Sequence, residues 1–209
     1  MSFDLWLAFV AASTALVLIP GPTVLLVLSY ALSKGRGVAL ASAGGVALGD
    51  LVAMTASLMG LGALVLASAT LFTALKWIGA AYLIWLGVKL IRSAPSAGLT
   101  LPDGAQVTGR GVFWHAAAVT ALNPKSIVFF IAFVPQFVVL DAALTPQFAI
   151  LIGTFVGLAA LNALVYALLA DRMRARIARP GVIAWLTRAG GGALIAMGLA
   201  TALLRRGTA

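Results

Sequence analysis

Between Gly37 and Leu75 the chain carries a single charge, Asp50, in an otherwise unbroken apolar run. An α-helix rises about 1.5 Å per residue, so one helix of that length would be nearly twice as long as the roughly 30 Å hydrocarbon core of a bilayer. A soluble protein of this size has no interior able to hide such a run beside others like it. The run therefore predicts two membrane helices, with the joint expected at the Gly60/Gly62 pair. Composition agrees. Residues are 63% hydrophobic and 9% charged, with mean hydropathy +1.12, whereas soluble domains carry about a quarter charged residues.

Scanning for runs of about 20 apolar residues predicts six spans, at about 4–33, 38–63, 67–91, 111–139, 146–170 and 183–204. The expected fold is an all-α polytopic membrane protein, one transmembrane domain over 1–209. Residues 93–110 are rich in Pro, Gly, Ser and Thr and read as a loop between two halves. Met1–Asp4 lacks the basic region of a cleavable signal peptide, so the first span is expected to remain in the mature protein.

Basic residues set the orientation. Lys34, Arg36, Lys89, Arg92, Arg110, Arg172, Arg174, Arg176, Arg179 and Arg188 flank the odd-numbered loops, and only Arg205 and Arg206 fall on the other side. Cytoplasmic loops collect Lys and Arg, so both termini are expected outside. The same placement explains the net charge of +9 without nucleic acid, since no soluble basic face is present. The absence of cysteine excludes disulfides and thiolate metal sites. With no Glu and one histidine, His115, the chain offers neither a nucleophile with its base nor a ligand cluster. No enzyme activity, metal or cofactor is expected, and His115 reads as incidental.

The halves resemble each other. A shift of 112 residues places Gly45 on Gly157, Asp50 on Asn162, Lys76 on Arg188 and Gly79 on Gly191; a shift of about 102 places Pro22 on Pro124. Three spans per copy make the copies opposite in orientation, the inverted-repeat plan of many secondary transporters. Repeat 1 covers about 1–92 and repeat 2 about 111–209.

Two sequences interrupt helices where lipid forbids it. Pro20-Gly21-Pro22 lies near the middle of span 1 and Asn123-Pro124 near the middle of span 4. Proline removes a backbone donor, and freed carbonyls at that depth survive only beside protein or a wet cavity. Each break also makes a half-helix N-terminus that attracts an anion such as a carboxylate. Lys125 follows the second break and is expected to help hold that carboxylate. Asp50, at the centre of span 2, marks a substrate path or proton relay; an ion pair with Lys76 or Lys125 is the structural alternative. Lys76 can also snorkel from the end of span 3, and Tyr82 with Trp85 can line a cavity or pack. Gly45-x3-Gly49, continuing a small-residue row from Ala41, and Gly153-x3-Gly157 permit close helix approach, inside the chain or in a homodimer. Trp6, Trp114 and Trp185 read as interfacial anchors.

Ile19-Pro20-Gly21-Pro22-Thr23, Gly44-Gly45-Val46-Ala47-Leu48-Gly49-Asp50, Lys76-Trp77-Ile78-Gly79-Ala80-Ala81-Tyr82-Leu83 with Gly87, and Asn123-Pro124-Lys125 together resemble the signature of the LysE/RhtB amino-acid exporters. The likeness runs in order along nearly the whole chain, with Thr23 standing where many members carry Asn. It implies a bacterial inner-membrane carrier that exports an amino acid such as lysine, threonine, homoserine or leucine, driven by the proton-motive force. The partners implied are the amino acid, protons and the lipid bilayer. A channel, or a carrier for ions or another small metabolite, is the alternative that the residues leave open.

Overall fold

The structure, a computed structural model, describes residues 1–19, 21–34, 36–92, 108–139, 142–177 and 180–203, and among these every regular element is helical. Ser2 opens α1 (Phe3–Leu18) by accepting the Leu5 N–H on its hydroxyl at 3.3 Å. Ile19 turns extended and ends that helix. Pro22 starts α2 (Pro22–Lys34), because a missing N–H costs nothing at the first helical position. The two axes are bent by 57°. Pro20 lies outside the described residues.

α3 (Arg36–Ala67) and α4 (Ala69–Arg92) divide the long apolar run. The joint is not at Gly60/Gly62, as expected, but at Ser68, whose hydroxyl accepts the Leu71 N–H at 3.2 Å. Glycine costs only about 1 kcal/mol inside a helix, less than the backbone bonds a break would strip in lipid. The helix therefore runs through both glycines and stops where a side chain can cap its successor.

Thr108 caps α5 (Gly109–Ala121), accepting the Gly111 N–H at 3.2 Å. Pro124 opens the short α6 (Pro124–Val128), and the segment Pro124–Phe137 is bent by 42° from α5. A π turn over Phe129–Phe133 and a 3₁₀ turn over Val134–Phe137 complete the segment. Pro135, which has no N–H, falls at that change of winding. α7 (Leu144–Ile177) and α8 (Pro180–Leu203) follow. Segments of α3, α4 and α7 are each long and apolar enough to cross a membrane, and the pairs α1/α2 and α5 with Pro124–Phe137 qualify as broken spans or re-entrant loops.

Small residues set the closest crossings. A Cβ on Gly45 would collide with the Phe113 carbonyl, and one on Gly49 would lie 2.5 Å from the Ala117 carbonyl, so α3 and α5 pack backbone to backbone. α4 crosses α8 at Gly87 and Gly191, where a Cβ on Gly87 would be 2.5 Å from the Gly191 oxygen. The 112-residue shift had matched Gly191 with Gly79, which instead meets Ala132. Gly157, matched with Gly45, behaves differently too. Among the described residues, a Cβ on Gly153 or Gly157 would meet nothing within 4 Å, so that pair does not pack inside the chain.

Two apolar clusters form the interior. One, built around Phe9, Leu16, Met54, Phe129, Phe130, Phe133 and Phe155, is aromatic, with Phe130 edge-on to Phe155 at 4.7 Å. The other is made of Val24, Val27, Leu28 and alanines including Ala43, Ala116 and Ala163.

Candidate functional site

The two helix breaks meet, and side chains from one satisfy backbone from the other. At the end of α1 the carbonyls lose their usual donors four residues on, and that of Leu16 accepts the Ile19 N–H at 3.3 Å. Lys125 donates its ammonium to the carbonyls of Leu16 and Ile19, each at 3.1 Å, and Asn162 on α7 donates its amide to the Val17 carbonyl at 3.0 Å. Gly21 leaves room for the ammonium, since a Cβ there would stand 3.3 Å from Nζ. Asn123 caps α6 by accepting the Lys125 N–H at 3.1 Å and donates its amide to the Thr23 hydroxyl at 3.2 Å. The Thr120 hydroxyl also donates to Thr23, at 3.4 Å.

Between the breaks lies a small cavity of about 30 Å³. Thr23, Asp50, Asn123, Lys125, Ser126 and Asn162 supply its polar groups, and Val17, Val24, Val27, Val46 and Phe155 much of its apolar wall. Both apolar clusters border it, the aromatic one through Leu16 and Phe155 and the other through Val24, Val27 and Ala163. Asp50 is 4% and Lys125 8% exposed. Their opposite charges attract across the cavity. Even so, the Oδ1 atom of Asp50 has no hydrogen-bond partner among the described residues. An unmet buried carboxylate oxygen is costly, and a donor arriving in the cavity would relieve that cost.

Five of the residues singled out in the sequence thus surround one space, and Gly21, Pro22 and Pro124 shape the breaks beside it. Lys76 and Tyr82 do not line it. Both lie on α4, where Tyr82 packs against Trp85 with ring centroids 5.4 Å apart. The role expected of Lys125 also changes. Its ammonium faces the carbonyl end of α1 rather than a half-helix N-terminus, and Asn123 already fills the Lys125 N–H.

His115 is not isolated. Its Nδ1 shares a hydrogen bond with the buried Tyr30 hydroxyl at 2.8 Å, joining α5 to α2. Nothing in the sequence pairs residues so far apart. Trp6, expected to anchor at the interface, donates its indole N–H to Thr154 at 3.0 Å, and Trp114 and Trp185 are exposed.

Comparison with known proteins adds independent findings. The model of the LysE type translocator family matches residues 14–206. The chain is similar to the homoserine/homoserine lactone efflux protein of Salmonella typhimurium, at 35% identity over 98% of this chain and 99% of that protein. It is 32% identical to a membrane protein of Vibrio cholerae over 95% of this chain and 97% of that protein. It is 28% identical to the leucine efflux protein of Klebsiella pneumoniae over 63% of this chain and 62% of that protein. No solved structure matches.

Proposed function

Because the chain belongs to the LysE type translocator family, and is a multi-pass protein of the bacterial inner membrane, we propose that it exports a small amino acid or close derivative by antiport with protons. The observation that carries the proposal is the cavity between the two breaks, where Asp50 presents an unsatisfied carboxylate oxygen among Thr23, Asn123, Lys125 and Asn162. An amino acid brings an ammonium donor for that oxygen and a side chain for the apolar wall. Asp50 is the coupling group in this reading. It releases the substrate ammonium when it takes up a proton on the outer side and binds the next substrate once deprotonated on the inner side.

The architecture that accompanies this reading is six spans in two inverted three-helix repeats. The first repeat is α1/α2, α3 and α4; the second is α5/α6 with its following turns, α7 and α8. Supporting it, Pro22 and Pro124 each open the helix after a break, and Asp50 and Asn162 face the same cavity from matching helices. Contacts that a twofold would exchange occur on both sides, α3 against α5 and α7 against α1. In the orientation set by the basic residues, the segment around Ala178 is cytoplasmic. A single cysteine at Ala178, in a chain that has none of its own, is expected to react with an impermeant thiol reagent only after the cells are opened. Labelling in intact cells would reverse the orientation.

Flux in proteoliposomes tests the function. Homoserine, homoserine lactone and leucine are the first substrates to load, since relatives are named for their efflux. A pH gradient is expected to drive saturable, concentrative movement of at least one of them. Rapid flux that only follows the solute gradient would mark a channel and remove the antiport reading.

A further inference from the structure

The break at the end of α1 is held by an amine. Lys125 Nζ donates to the carbonyls of Leu16 and Ile19 at 3.1 Å each, over Gly21. A helix C-terminus carries the negative end of the helix dipole, so these carbonyls favour a cation that can donate. The Asp50 carboxyl lines the same cavity, and its Oδ1 has no hydrogen bond among the described residues even with Lys125 seated. An ammonium has three N–H donors, and the carbonyls use two of those on Lys125. The adjoining wall of Val24, Val27 and Phe155 suits the aliphatic remainder of a small molecule.

We propose that Leu16 O, Ile19 O and the Asp50 carboxylate form a binding site for a primary ammonium, of which Lys125 is the tethered occupant, and that a transported amine enters by exchanging with it. This deepens the export reading by naming the part of the substrate that this site takes. Recognition then depends on the N–H donors of the amine, and a free carboxylate is not required by this part of the site. Lys125 is a mobile counter-ligand in this arrangement. Its four-carbon stem lets the displaced ammonium swing clear of the carbonyls.

The test is binding of methylammonium to the purified full chain, which requires no transport and so is independent of whether export is observed. Removing the tether with Lys125→Ala is expected to let methylammonium raise the melting temperature saturably. The rise should be about 3–6 °C at tenfold its dissociation constant. Tetramethylammonium has the charge but no N–H and is expected to give no rise. The double variant Lys125→Ala with Asp50→Asn is expected to lose most of the effect. If Lys125→Ala aggregates, purification in methylammonium is expected to restore a monodisperse protein, and Lys125→Ser provides a second background. If neither variant gains melting temperature or yield from methylammonium, or if tetramethylammonium does as well, the site is not an ammonium site and the proposal fails.

Discussion

Asp50→Asn is expected to abolish concentrative export while leaving the protein folded. The substitution keeps the shape of the side chain, so the packing of α3 against α5, fixed by Gly45 and Gly49, is undisturbed. What it removes is the one negative side chain on the cavity wall. The amide cannot cycle a proton at cellular pH, and it leaves the Lys125 ammonium facing a neutral group. Removing one partner of a buried charge pair costs about 2–5 kcal/mol in binding, roughly 30- to 5,000-fold in affinity. Net efflux driven by a pH gradient should therefore fall to background, with expression and gel-filtration profile unchanged. Asp50→Glu keeps the charge and should retain part of the flux. Normal concentrative export by Asp50→Asn would show that Asp50 is only a structural partner of Lys125, and the coupling role would pass to another group.

The second large effect is steric. Gly49→Leu is expected to destabilise the protein and stop transport, whereas Gly157→Leu should do neither. A Cβ at Gly49 would lie 2.5 Å from the Ala117 carbonyl and 2.7 Å from Thr120 Cβ, and these atoms belong to backbone or to a buried side chain. α3 would have to lift from α5, drawing the adjacent Asp50 away from Asn123 and Lys125. Overpacking of this kind typically costs about 1–3 kcal/mol. At Gly157 the same change meets open space and gains about 0.8 kcal/mol of helix propensity. Thermal unfolding in detergent reads the difference directly. Equal melting temperatures for the two variants would mean that the α3–α5 contact does not hold the site together.

Much of this molecule is legible along the chain alone. Apolar length demanded membrane helices, and the prolines located both breaks, because a residue without an N–H can enter a helix at its first position and hardly elsewhere. Asp50 stood out as the single charge in a long apolar run, where an ionisable group is expensive. The signature residues carried the family assignment that the wider comparison bears out.

Only the tertiary structure decided which faces meet. In a soluble helix the apolar stripe points inward, but a helix in lipid is apolar all round, so its pattern names no inner face. For that reason Gly45-x3-Gly49 and Gly153-x3-Gly157 look alike in sequence, yet one is locked against α5 and the other is open. For the same reason Tyr82 and Lys76 were as plausible at the cavity as Asn162, and only Asn162 lines it. Lys125 needed the fold most of all. Its position after Pro124 suggested an anion, but a long flexible stem points wherever acceptors with a spare lone pair lie. Those acceptors are the carbonyls of Leu16 and Ile19, brought to it from the opposite half of the chain.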